Sequence, residues 1–131
     1  MKQEDKNLLI QDLCARLPYG VKIKTSYDKI DEPMGLIFIN PRNESFTIGG
    51  SFTLISGLDF DTYECKPYLF PLSSMTEEQY KEYTDMGYSV TERWWSMANY
   101  HQIEWLNKNH FDYRGLILMG LAIDCTNLNI Y

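Results

Sequence analysis

Apolar residues recur at helical spacing at the start of the chain. Leu9, Leu13 and Leu17 stand at i, i+4 and i+8, with Ile10 and Cys14 beside them. This predicts an amphipathic helix over 4–17 that docks through that stripe. Pro18 stops it and Tyr19-Gly20 turns the chain. From Val21 the period changes to two: Val21, Ile23 and Thr25 alternate with lysines, as in a half-buried strand. A short apolar strand over 36–39 leads into a turn at Asn40-Pro41-Arg42-Asn43. Next, Phe46, Ile48, Phe52 and Leu54 keep the same parity through Gly49-Gly50. A tight hairpin at the glycines would place Thr47 opposite Phe52 and split the apolar face, so one long strand, bent or bulged there, is expected. A last strand is expected over 63–66.

The second half reads as helices. Two prolines and no period predict an extended surface connector over 66–74. Thr76-Glu77-Glu78-Gln79 has the form of a capping box opening a helix to Asp85, which Gly87 ends. Ser89 or Thr91 is expected to cap a longer helix to Asn107, on which Trp95, Ala98, Ile103 and Leu106 share a face that Gln102 interrupts. Asp112 is expected to cap a short helix through Leu118, stopped by Gly120, and 121–123 to add a strand. The fold expected is α+β, one domain over 1–131. It comprises an N-terminal helix, a curved antiparallel meander of about four strands, with a small partial barrel as its curled form, and two or three C-terminal helices.

Composition narrows the class. A hydrophobic fraction of 44% in 131 residues is enough for a buried core without disulfides or metal. The net charge of −6 and the lack of any basic cluster denser than Lys22 and Lys24 argue against direct binding of DNA or RNA. Three cysteines without short spacing predict reduced, buried thiols in a cytoplasmic protein. Neither a signal peptide nor a membrane span is expected.

Candidate chemistry concentrates in the segment 103–117, IEWLNKNHFDYRGLI. His101 and Glu104 lie three apart on an expected helix, a spacing that suits an acid–base pair, and His110, Asp112 and Arg114 alternate across a helix junction. Neither a nucleophile nor a second base has a placed position. The same His110 and Asp112 suit helix ends, His110 on the preceding carbonyls and Asp112 on the following amides. His101, His110 and Cys125 lack the paired spacing of a zinc site, so neither metal nor cofactor is expected. The carboxylates of 28–32 and of Asp59 and Asp61 lack the calcium-loop pattern, and Gly49-Gly50 is not a phosphate loop. Trp94 and Trp95 point about 100° apart on a helix, so one can enter the core while the other, beside Tyr100, either faces a partner or packs under the 67–71 connector.

The same segment, with Lys66-Pro67-Tyr68-Leu69-Phe70-Pro71-Leu72-Ser73-Ser74-Met75-Thr76-Glu77-Glu78 and the run from Asp12 to Lys22, resembles a group of small proteins of Bacteroides phages, prophages and other mobile elements. The resemblance covers both ends and the middle junction and carries no catalytic residue with it. The stretches 26–61 and Trp94-Trp95 lie outside it. Taken with the missing catalytic signature, the aromatic content and the acidic charge, it points to a non-enzymatic interaction protein acting on a host or element protein, for which the residues themselves offer Trp94, Trp95, Tyr100, His101, His110, Asp112 and Arg114 as candidate binding residues. Two alternatives stand beside it: a small hydrolase using His101 or His110 with Glu104 or Asp112, and an acidic mimic of nucleic acid.

Overall fold

Helix α1 spans Gln3–Arg16 and turns Leu9, Ile10 and Leu13 into the core. A computed structural model describes residues 1–50, 52–87 and 98–131 of the chain. Each fully buried leucine or isoleucine contributes about 1.5–3 kcal/mol of transfer free energy. Cys14 faces solvent, contrary to the buried thiol expected, because Asp12, Leu13 and Arg16 take the inward side of that turn. Cys65 and Cys125 are buried. Burial pushes the Cys65 thiol well up, and the Cys125 thiol up to about 11.

The strands are β1 (Lys22–Thr25), β2 (Met34–Asn40), β3 (Ser45–Gly49), β4 (Leu54–Asp59), β5 (Cys65–Pro71), β6 (Phe111–Asp112) and β7 (Ile123–Asp124). They form one sheet in the order β4-β3-β2-β1-β5-β6, with β7 also on β5. The architecture is α+β as expected, and its β1–β4 part is an antiparallel meander. The sheet is mixed and open rather than a small barrel: β5 returns beside β1, and β6 and β7 join β5 in parallel.

Two expectations about strands fail. The chain reverses between Gly49 and Leu54, so β3 and β4 form a hairpin with Gly49 opposite Leu54 and Ile48 opposite Ile55. The ladder slips one residue before Leu58, where Gly57 adopts φ +76°, a conformation that favours glycine, and makes a bulge. The expected surface connector, in turn, is the central strand β5, with Leu69 wholly buried. Its prolines fit because successive backbone groups point to alternate sides. The Tyr131 hydroxyl links the Lys22 N–H to the Tyr68 C=O, and the Phe70 N–H donates to the His110 C=O, so the even residues of β5 face β1 and β6. Pro67 and Pro71 then turn their missing N–H the other way.

Helix α2 (Glu77–Asp85) starts with the expected box: the Gln79 N–H donates to Thr76 Oγ1 at 3.1 Å, and the Thr76 N–H to Gln79 Oε1 at 2.9 Å. Helix α3 (Tyr100–Lys108) begins later than expected, capped by Asn99 in a second box with Gln102. Ala98 therefore precedes the helix instead of sharing its face, while Trp94, Trp95 and the proposed starts at Ser89 and Thr91 lie outside the described residues. Gln102 is not a defect in the stripe. Wholly buried, its Nε2 donates to the Tyr83 carbonyl and ties α3 to α2. Residues 116–120 form turns rather than a helix. No helix among the described residues is long and apolar enough to cross a membrane.

Candidate functional site

Helix α1 brings two charges into the interior on the flank of its apolar stripe. At about 100° per residue, Asp12 and Arg16 lie within 60° of Leu9, and both are fully buried. Arg16 Nε donates to Asp12 Oδ2 at 2.8 Å, and Arg16 Nη2 donates to the Phe111 carbonyl at 2.7 Å. Arg114 Nη1 reaches the other Asp12 oxygen at 3.1 Å and the Tyr113 hydroxyl at 2.7 Å. Tyr113 passes the chain on to Asn107 Oδ1, and its ring lies under both guanidinium groups. One carboxylate thus serves two cations, and Arg16 Nη1 has no hydrogen-bond partner among the described residues. Such a cluster is costly to break and locks α1 to the α3–β6 corner.

Arg114 is therefore part of this tie, which sequence reasoning missed on the α1 side. The signal was present: two opposite charges at i, i+4 on the flank of an apolar stripe.

His110 follows α3 at φ +64°, a conformation uncommon outside glycine. Its N–H donates to the Asn107 carbonyl, but its imidazole does not cap the helix. The ring stacks on Tyr131, and Nδ1 is buried without a hydrogen-bond partner among the described residues. Burial, and then the Arg16 charge, lowers its pKa to about 4, so the ring is neutral at pH 7. Asp112 does cap, although it caps a turn and not a helix: its two oxygens accept the Leu116 and Ile117 N–H groups at 3.0 and 2.9 Å.

The acid–base candidates do not converge. His101 and Glu104 lie exposed on α3. Glu104 and Tyr100 line a cleft of about 210 Å³, His110 lines one of about 470 Å³ with Phe70 and Lys108, and Asp112 and Arg114 line one of about 560 Å³. Among the described residues, no three His, Cys, Asp or Glu side chains are placed to hold a metal ion.

A different surface gathers exposed apolar groups. The β2 ladder shifts between Leu36 and Phe38, so Leu36 and Ile39 both face the core while Ile37 and Phe38 both face out. Ile37 lies over Gly49, which pairs with Leu54, and Phe38 sits opposite Thr47. Leu54 is 69% exposed, and Phe52, at the reversal, is entirely so. Among the described residues, β4 has no neighbour on its outer side. The sequence signal was there but carried the wrong parity: Phe52 and Leu54 belong to the outer face once the chain turns back. Comparison with protein-family models, curated proteins and solved structures finds no match to this chain.

Proposed function

We propose that this chain is a non-enzymatic interaction protein that binds a host or element-encoded protein, in keeping with its resemblance to small phage and mobile-element proteins. The observation that carries this reading is the exposure of Ile37 and Phe38 on β2 and of Phe52 and Leu54 at the outer strand β4, on the outward face of the sheet's β2–β4 end. Exposed apolar side chains on the open face beside an unpaired sheet edge are a liability unless a partner covers them. Covering each removes about 1.5–3 kcal/mol of hydration cost, enough in sum to offset part of the entropy lost on association. The commitment of the Asp12 and Asp112 oxygens to bonds within the fold supports the same reading. Tyr100, 75% exposed on α3, is a separate anchor of the kind interfaces use.

The test is affinity capture from a Bacteroides lysate, with and without phage infection, using the wild type, the double variant Phe52→Ser/Leu54→Lys and the control Leu118→Ser. A stoichiometric protein held by the wild type and the control but lost with the double variant supports the reading. A partner held equally by all three, or none under either condition, contradicts it.

A further inference from the structure

The outer edge of β4 is built to accept one more strand. The Gly50 N–H donates to the Thr53 carbonyl at 2.9 Å, and pairing continues with Gly49 opposite Leu54 and Ile48 opposite Ile55. In an antiparallel ladder, hydrogen-bonded and non-bonded pairs alternate. Ile55 therefore bonds inward to β3, and the N–H and C=O groups of Leu54 and Ser56 point away from the sheet. Both residues are exposed. From Leu54 to Leu58 the strand holds no charged residue and no proline, two of the devices that protect a sheet edge, and its bulge comes only at Gly57.

The stretch that carries this edge is acidic between Arg42 and Lys66. Residues 43–65 contain Glu44, Asp59, Asp61 and Glu64 and neither Lys nor Arg. Asp59 closes one end of β4, opposite Ser45, while the Glu32 carboxylate approaches Gly50 near the other. Lys6, on α1, holds Glu44 and Asp61, and Lys66 reaches Glu64; Asp59, whose Oδ1 accepts the Asp61 and Thr62 N–H groups, and Glu32 keep charges without an ion-pair partner among the described residues.

Resting on the interaction reading above, we propose that the partner contributes an extended segment that adds antiparallel to β4, with apolar residues over Leu54 and Ile37 and basic residues at both flanks. Main-chain bonds to Leu54 and Ser56 supply the register, and the alternate side chains supply the choice of sequence. The basic flanks complement the acidic ends and set the rate of encounter.

The experiment selects short peptides from a random display library on the wild-type protein and titrates the best of them, labelled, by fluorescence anisotropy. Expected are sequences with an apolar, β-branched run between Lys or Arg residues, with affinity falling as salt rises. Ser56→Pro removes the outward N–H without touching the β3 ladder, and should weaken binding about tenfold or more. N-methylation of the peptide at alternate residues tests the same bonds from the other side and leaves the protein unaltered, with a similar loss expected. Peptides without basic flanks, or binding indifferent to both changes, would overturn the proposal. If Leu54→Lys abolishes binding while Ser56→Pro and N-methylation do not, strand addition is wrong and docking through side chains stands. If none of the three matters, or the library yields no binder, the interaction reading of this edge fails as well.

Discussion

The ring of Tyr131 lies flat on the imidazole of His110, with centroids 3.6 Å apart and planes 9° apart. Its hydroxyl fills the place where β1 gives way to β6 along β5, accepting from the Lys22 N–H at 2.9 Å and donating to the Tyr68 carbonyl at 2.8 Å. Burial raises the phenol's pKa far above its ordinary value, so it keeps this donor at every working pH. Tyr131→Phe leaves the stacking in place and strips partners from two backbone groups. A loss of about 1–2 kcal/mol is expected in urea unfolding, with an unchanged m-value.

His110 makes stability depend on pH. Its folded pKa, about 4, lies below the ordinary 6.5, so the unfolded chain binds the proton more tightly. Stability from this group is complete above about pH 6.5 and falls as the pH drops towards 4. Because the ring is only partly buried, solvent screening reduces the effect to about 1–2 kcal/mol. His110→Asn tolerates the positive φ and should flatten this part of the profile. Denaturant midpoints of both proteins between pH 7 and pH 4 check it, and parallel profiles would contradict it.

Asp12 is the only carboxylate facing Arg16 and Arg114 among the bonds described, and removing it leaves a buried guanidinium uncompensated. Asp12→Ala should cost about 3–5 kcal/mol. The double change Asp12→Leu/Arg16→Met, which removes both members of the fully buried pair, should cost less than the single one. Calorimetric unfolding of the three proteins decides it.

Gly87 sits against the second capping box. A methyl group there would collide with the Asn99 amide and lie 2.8 Å from Gln102 Oε1. The Asn99 amide also donates to the Met86 carbonyl, so it has little freedom to yield. Gly87→Ala should therefore destabilise by about 1–3 kcal/mol, although alanine is the better helix former. Thermal unfolding measures it.

What was legible in the sequence was local. The box of Thr76 and Gln79 needs residues three apart, and the stripe of Leu9 and Leu13 needs one helix face, so both could be read from spacing. β5 could not, because Pro67 and Pro71 argue against a central strand unless it is known which side each turns to, and that depends on β1, β6 and Tyr131. The outer face was misread for a related reason. Phe46, Ile48, Phe52 and Leu54 share parity, but this reversal pairs odd with even residues, Gly49 with Leu54 and Ile48 with Ile55, so parity changes meaning between the strands it joins. Of the candidate site residues, Asp112 showed its capping role in its position before Leu116, whereas the tie of Arg114 to Asp12 spans most of the chain.

The most direct measurement is backbone amide hydrogen exchange, followed by NMR, on the wild type alone and saturated with the selected peptide. Strand addition at β4 predicts that Leu54 and Ser56 exchange quickly in the free protein and become strongly protected in the complex, while Ile55, bonded inward, changes little. Protection that falls elsewhere, with Leu54 and Ser56 exchanging as before, would contradict it.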